Sequence, residues 1–220
     1  GNTVQPSPTS SDTFGGKALY ANSGGGDITI ENIAVPLGRR LTSSTDDTPG
    51  YAGSYTLSVG GAINIGGACA ATALGDVHAI VDAVHAMSVS GSIYIYATGD
   101  VSSTKGRGIY AQTEGGAITI NAAGDIETGD IANSIYTGGI GLYAKSNGTN
   151  AGAISIIASG VEVNGDASDA VSAIKAFNEG TDATNITVTE RVVATNSSGE
   201  AIGILTETMT GATVTVATGG

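Results

Sequence analysis

The chain of 220 residues contains no Trp, a single Cys and only four Pro. One cysteine excludes an internal disulfide, so the fold is not held together by cross-links within the chain. No run of residues approaches the ~18 apolar positions of a membrane-spanning helix. Aromatic residues are 5% and charged residues 13% of the chain. Gly contributes 35 residues, about twice its ordinary share. This composition suits short strands and tight turns.

Basic residues are also scarce, because eight Lys and Arg stand against 20 Asp and Glu, for a formal net charge of −12. Binding to phosphate groups requires clustered Lys and Arg side chains. The charge therefore argues against nucleic acid and against an anionic membrane surface as partners. The simplest role of the excess negative charge is solubility.

A repeated pattern runs through the chain. Its clearest copy, residues 108–120, reads GIYAQTEGGAITI. The same 13-residue frame fits residues 18–30, 53–65 and 83–95, and a 16-residue version fits 141–156, 173–188 and 201–216. The starts lie 25 to 35 residues apart, which is the period of solenoids, propellers and related arrays.

The last four residues of each copy alternate between apolar and polar side chains, which is the pattern of a strand with one buried face. We expect the apolar members to stack inside the protein. They are Ile28, Ile30, Ile63, Ile65, Ile93, Ile95, Ile118, Ile120, Ile154, Ile156, Ile186 and Val188.

Each copy contains two further strand patterns, one before this strand and one after it. The first includes residues 108–111, and the second includes residues 125–127, 101–102 and 161–163. Gly-Gly and Gly-Asp pairs mark the corners, where we expect Gly to allow positive φ and Asp to cap the turn. Three strands per ~30 residues predict an all-β fold, a parallel β-solenoid of about seven three-stranded coils. A propeller fits less well, because its blades need four antiparallel strands.

The repeat also sets the domain organisation. Residues 13–220 are predicted to form a single repeat region, preceded by a polar lead-in at residues 1–12. Residues 31–52 depart most from the frame, with two Pro and two adjacent Arg, and are expected to leave the coil as an extended loop.

The segments GIYA, GGAITI and GDI at these spacings resemble the passenger region of bacterial autotransporters, the type V secreted proteins of Gram-negative bacteria. The resemblance covers roughly residues 13–220. It implies a right-handed parallel β-helix, secretion to the bacterial cell surface or beyond it, and a role as an adhesin in attachment or autoaggregation. The chain would be a passenger fragment, tied to the outer membrane only through a C-terminal barrel that this sequence does not include. The expected partner is a host surface or matrix molecule, or another copy of the chain.

No catalytic grouping stands out in the sequence, and no metal or other cofactor is expected. The GDSG nucleophile motif of autotransporter proteases is absent, and His78 and His85 lie without a nearby Cys or a further His. A β-helical polysaccharide lyase or hydrolase remains the alternative function. Such an enzyme needs clustered carboxylates in a groove, and the alternative has only the analogy of fold in its support.

Five residues share one position of the frame in successive copies, and four of them are tyrosines: Tyr20, Tyr55, His85, Tyr110 and Tyr143. If each copy is one coil, these rings form a column on an outer face. The column could stabilise neighbouring coils by stacking, or it could serve as a contact stripe for a partner. Arg39 and Arg40, in the expected loop, are candidates for the rim of such a stripe.

Overall fold

The computed structural model is all-β in the part of the chain that it describes. Side chains are described for residues 27–30, 61–66, 73–75, 77, 82–103, 106–128, 140–148, 150–165, 170–197, 199–208 and 213–218. For residues 2–3, 13–14, 19–23, 41–43, 52–58 and 78–79, the strand backbone alone is described.

These residues form nineteen strands and no helix. In chain order the strands are β1 Asn2–Thr3, β2 Thr13–Phe14, β3 Leu19–Ser23, β4 Ile28–Ile30, β5 Leu41–Ser43, β6 Ala52–Ser58, β7 Ile63–Ile65, β8 Val77–Ala79, β9 Asp82–Ser88, β10 Ile93–Ala97, β11 Val101–Ser103, β12 Ile109–Thr113, β13 Ile118–Thr128, β14 Ile140–Ser146, β15 Ile154–Gly165, β16 Val171–Asn178, β17 Thr184–Asn196, β18 Ala201–Thr208 and β19 Val214–Thr218.

The strands pair in parallel with their counterparts in the neighbouring copies of the repeat. Row 1 contains β1, β4, β7, β10, the first halves of β13, β15 and β17, and β19. Row 2 contains β2, β5, β8, β11 and the second halves of β13, β15 and β17. Row 3 contains β3, β6, β9, β12, β14, β16 and β18.

Rows 1 and 2 belong to one 12-stranded sheet, because β13, β15 and β17 continue across the corner between them, and row 3 is a separate 7-stranded sheet. The inward side chains of all three rows form one hydrophobic cluster. This arrangement is consistent with a parallel β-solenoid. The three predicted strands are confirmed in the first six copies, where Val101, Ile126 and Val161 align in row 2 as expected. The seventh copy has two strands among the described residues, β18 and β19.

Every residue predicted to stack inside from the alternation in row 1 is buried, with exposed fractions of 3% or less. The same pattern is less covered in β19, where Val214 and Val216 are 39% and 46% exposed. Within the described residues no further strand pairs with β19 on its outer side. The alternation therefore predicts which way a side chain points, and a neighbouring coil is what buries it.

The predicted frame is wrong by two residues in its last two copies. Ile186 lies beside Ile156 in the pairing of β15 with β17, whereas the 16-residue frame places it beside Ile154. Likewise Gly203, and not Ala201, follows Ala173 in row 3, as the pairs on either side show. A shift of two residues keeps every side chain on its own face, so hydrophobic alternation alone cannot fix the register.

The corner glycines serve mainly to allow close contact between coils. Among the described residues only Gly66 and Gly148 have positive φ, at 84° and 85°. A Cβ atom on Gly91 would lie 2.1 Å from the carbonyl oxygen of Gly61, and one on Gly116 would lie 2.5 Å from that of Gly91. The expectation that corner glycines supply positive φ is therefore wrong for Gly116, where the stacked backbones exclude a side chain, as they also do at Gly91.

The corner aspartates form hydrogen bonds to the next coil. Asp27 Oδ1 accepts a hydrogen bond from the backbone N–H of Ala62 at 2.8 Å. Asp100 Oδ1 accepts one from the N–H of Asp125 at 3.0 Å. Each carboxylate thus supplies an acceptor to a backbone group one coil further on.

A ladder of buried polar side chains follows the corner between rows 3 and 1. Ser88, Thr113 and Ser146 donate hydrogen bonds to the carbonyl oxygens of Gly61, Gly91 and Gly116, at distances of 3.0, 2.9 and 2.8 Å. Asn178 continues the ladder one coil further, with its Nδ2 3.3 Å from the carbonyl oxygen of Gly152. These polar groups are buried without leaving the corner carbonyls unsatisfied.

Candidate functional site

The predicted column of rings exists in the register of row 3. Tyr20 pairs with Tyr55, Tyr55 with His85, His85 with Tyr110, and Tyr110 with Tyr143. The side chains of Tyr20 and Tyr55 lie outside the described residues, as do Arg39 and Arg40 entirely. The predicted rim of the stripe is therefore not described.

The three described rings of the column are stacked on one another. The centroids of His85 and Tyr110 are 4.6 Å apart at an interplanar angle of 37°, and those of Tyr110 and Tyr143 are 5.1 Å apart at 4°. The Tyr110 hydroxyl also donates a hydrogen bond to Gln112 Oε1. As a result Tyr110 is only 9% exposed, so its ring faces are occupied by neighbouring side chains rather than offered to a partner.

A buried ion pair that sequence reasoning missed lies beside the column. The carboxylate of Asp82 accepts hydrogen bonds from Arg107 Nε at 2.9 Å and from Arg107 Nη2 at 2.7 Å. His85 Nδ1 lies 2.7 Å from Asp82 Oδ2. The Cζ atom of Arg107 lies 3.8 Å from the centroid of the Tyr110 ring, a cation–π contact. The pair thus ties one coil to the next and fixes the ring column from one side.

The sequence did contain a signal for this pair. Asp82 and Arg107 each stand one residue before the start of a repeat copy, at 83 and 108. Opposite charges at one frame position in successive copies become neighbours once the copies stack. The two residues are 25 positions apart in the chain, so their contact can be predicted from the sequence only through the register of the repeat.

The surroundings of this cluster shift two pKa values. Burial raises the pKa of Asp82, but the hydrogen bonds with His85 and Arg107 and the charges of these two residues lower it by more. The pKa of Asp82 therefore lies below its ordinary value. Burial raises the pKa of Tyr143 to about 12, with a further contribution from the neighbouring Tyr110. Asp82 is therefore a carboxylate at neutral pH, and the Tyr143 phenol is protonated.

Beyond Tyr143 the outward face of row 3 becomes cationic. Lys175 follows Tyr143 in the same column, and Lys145 pairs with Phe177 in the column beside it. The Nζ atom of Lys145 lies 5.1 Å from the centroid of the Phe177 ring. Glu207, which pairs with Phe177, carries the opposing charge at the end of this face. Apart from the Asp82–Arg107 pair, the charged groups of this part of row 3 are the two lysines and Glu207, which together give a net charge of +1.

The outward face of row 2 is acidic. Asp125, Glu127 and Glu162 surround Arg191, whose Nη2 lies 3.3, 3.8 and 3.4 Å from their carboxylate oxygens. Three carboxylates and one guanidinium give this group a net charge of −2. The pairs are solvent-exposed, so each contributes little to stability.

The outward face of row 1 is uncharged in its described part. Its side chains are hydroxyls, amides, phenols and two small or apolar groups. They are Thr29, Asn64, Tyr94, Thr119, Ser155, Asn185 and Thr215 in one column, and Tyr96, Asn121, Ile157, Thr187 and Ala217 in the next. The three rows thus present three chemically distinct surfaces.

Within the described residues, no cluster of three His, Cys, Asp or Glu side chains could hold a metal ion. That part of the chain also contains no helix long and apolar enough to cross a membrane. Comparison of the chain with protein-family models, with curated proteins and with solved structures finds no match.

Proposed function

We propose that the chain is a fragment of a passenger displayed on the bacterial cell surface or released from it, and that it acts in adhesion by self-association. We further propose that its coils wind into a right-handed parallel β-helix. The resemblance of the GIYA, GGAITI and GDI segments to autotransporter passengers supports the secretion route. The regular parallel pairing supports a fold with long outward faces, of the kind that repeat proteins use for binding.

The observation that carries self-association is the contrast between the outward faces of rows 2 and 3. Lys145 and Lys175 lie on row 3 beside aromatic rings, and Asp125, Glu127 and Glu162 lie on row 2. Two copies with a net charge of −12 each repel one another as wholes. Contact of the cationic face with the acidic face replaces that repulsion with local attraction. Of the two partners considered, the charge distribution therefore favours another copy over a host molecule.

The two faces differ from one another, so this contact is heterologous. Each copy offers one face of each kind, and the association continues from copy to copy instead of closing at a dimer. Because a cell displays many copies, such contacts can also form between molecules on neighbouring cells and so join the cells. Salt screens exposed charges over a length of about 8 Å at physiological ionic strength, so clumping is expected to weaken as salt is added.

The test is a charge exchange on cells that display the chain through an unrelated anchor. Cells with the double variant Lys145→Glu, Lys175→Glu are expected to stop clumping among themselves, and so are cells with Glu127→Lys, Glu162→Lys. A mixture of the two populations is expected to clump again, since each now carries the complement of the other. Microscopy with two fluorescent labels counts the mixed aggregates.

Two outcomes would contradict self-association through these faces. One is clumping of the Lys145→Glu, Lys175→Glu cells at the level of the unmodified chain. The other is a mixture that remains dispersed although both variants are displayed and melt at the temperature of the original chain. Substitution of Tyr110 is less informative here, because this ring is 9% exposed and its loss is expected to disturb the stack itself.

A further inference from the structure

We infer that the outward face of row 1 contains a binding site for a neutral oligosaccharide, centred on Tyr94 and Tyr96. Both residues lie on β10, whose alternating burial leaves these two side chains partly exposed between three buried ones. This inference goes beyond the proposed function and does not depend on display at a cell surface.

The side chains of the two tyrosines lie on the same side of the sheet. Because they are two residues apart on a strand, their Cα atoms are separated by roughly 6.6 Å and their side chains point the same way. Tyr94 lies between Asn64 of β7 and Thr119 of β13, and Tyr96 lies beside Asn121 of β13. Neighbouring strands are about 4.8 Å apart, so the amides and the hydroxyl flank the rings at contact distance for a small ligand.

The backbone of the residue that follows β7 lies directly against the backbone of Tyr96. Gly66, in the position beside Tyr96, has a φ of 84°, and a Cβ atom there would lie 2.0 Å from the Tyr96 carbonyl oxygen. Its backbone N–H donates to the Ile30 carbonyl oxygen at 2.7 Å, which fixes the turn. A glycine is therefore required here for the turn after β7 to pack against the strand that contains Tyr96.

The chemistry of these groups matches that of an uncharged sugar. A pyranose ring has apolar C–H faces that pack on aromatic rings, and its hydroxyls need both donors and acceptors. The Asn64 and Asn121 amides supply both, and the hydroxyls of Thr119 and the two tyrosines supply more. A few placed polar groups around an apolar surface are the usual composition of a small-molecule site.

The absence of charge on this face selects among ligands. The described outward side chains of row 1 from Thr29 to Ala217 include no charged group, although the chain as a whole carries −12. An acidic polysaccharide would find no cation there and would be repelled by the remainder of the molecule. A neutral glycan meets neither penalty.

The test uses the purified chain and isothermal titration calorimetry with defined probes: cellohexaose, maltohexaose and N-acetylchitohexaose as neutral sugars, and hexagalacturonate as an acidic one. At least one neutral probe is expected to bind with a Kd of about 1 mM or tighter. The double variant Tyr94→Ser, Tyr96→Ser is expected to weaken that binding at least about tenfold. Val89→Ser, which removes an exposed apolar side chain outside this face, is the control and should bind like the original chain.

Two further variants distinguish loss of the binding site from loss of fold in the serine variant. Tyr94→Phe, Tyr96→Phe keeps both rings and should retain measurable binding, while Asn121→Asp should weaken the binding of the neutral probe by removing a donor and adding a charge. The inference is overturned if no neutral probe binds the original chain at ~10 mM, or if hexagalacturonate alone binds. It is also overturned if the serine variant changes only sedimentation, since the face would then be a protein contact. Cell clumping plays no part in these readouts, so this site and the proposed function can fail independently.

Discussion

Arg107 and Asp82 form a two-point ion pair between successive coils, with Nε–Oδ1 and Nη2–Oδ2 distances of 2.9 and 2.7 Å. The backbone N–H of Arg107 donates to the same carboxylate at 3.1 Å. Asp82 is 1% exposed and the Arg107 side chain 12% exposed. The guanidinium also covers the Tyr110 ring. Arg107 therefore contacts both the buried carboxylate of the neighbouring coil and the aromatic column of row 3.

Removal of the cation from this pair is expected to be costly. Arg107→Ala leaves the Asp82 carboxylate buried without its main partner, and breaking a buried pair in this way costs about 3–5 kcal/mol. Arg191→Ala is the matched control, because that arginine also contacts carboxylates but is 47% exposed. Its loss should cost under ~1 kcal/mol. Urea unfolding followed by circular dichroism measures both, and a similar loss in the two variants would contradict a special role for the buried pair.

The same carboxylate predicts a dependence of stability on acid. Because the folded-state pKa of Asp82 lies below the ordinary value of 3.8, its contribution to stability is complete above about pH 4 and is lost as pH falls through the folded-state value. Asp82→Asn lacks this contribution at every pH. The difference in unfolding free energy between the original chain and Asp82→Asn should thus shrink as the pH falls below about pH 4. A difference that stays constant down to about pH 2 would mean that the Asp82 pKa is not shifted in this way.

The sequence predicted the strands well because the alternation of apolar and polar residues lies within each strand. Alternation in segments such as 117–120 identified the buried face, and all of the expected inward residues of row 1 are buried. The third strand of each coil and the alignment of Tyr20, Tyr55, His85, Tyr110 and Tyr143 were also predicted. These predictions rest on period and spacing, which need no knowledge of distant contacts.

Contacts between coils were harder to predict. The register of Ile186 could not be fixed, since a shift of two residues preserves the pattern of faces. The Asp82–Arg107 pair requires that register before the two charges become neighbours. The contact of Arg107 with the Tyr110 ring depends on this pair. The sequence therefore predicted on which side of the strand the Tyr110 ring lies, but not that Tyr110 is only 9% exposed.

Two adjacent glycines give a sharp test of the close approach at the corners. Gly116→Ala would place Cβ 2.5 Å from backbone atoms of Gly91, whereas on Gly115 the nearest atom is Ser90 Cα at 3.7 Å. The overpacking in Gly116→Ala is expected to cost about 1–3 kcal/mol. Gly115→Ala should change stability by about 0.5 kcal/mol or less. Thermal melting of both variants measures the difference, and equal melting temperatures would show that the coils separate at this corner more easily than the stacked backbones indicate.

The division of each strand in row 1 between a buried face and an outward face underlies the fold and the proposed oligosaccharide site, and two neighbouring substitutions test it most directly. Ile118 is fully buried, and Thr119 points outward beside Tyr94 and Ser155. Ile118→Asp places an unpaired carboxylate in the hydrophobic cluster and is expected to cost about 4 kcal/mol or more. Thr119→Asp should cost well under ~1 kcal/mol. A large fall in melting temperature for Ile118→Asp with little change for Thr119→Asp is the predicted result, and equal melting temperatures, or the reverse order, would contradict the assignment of the two faces.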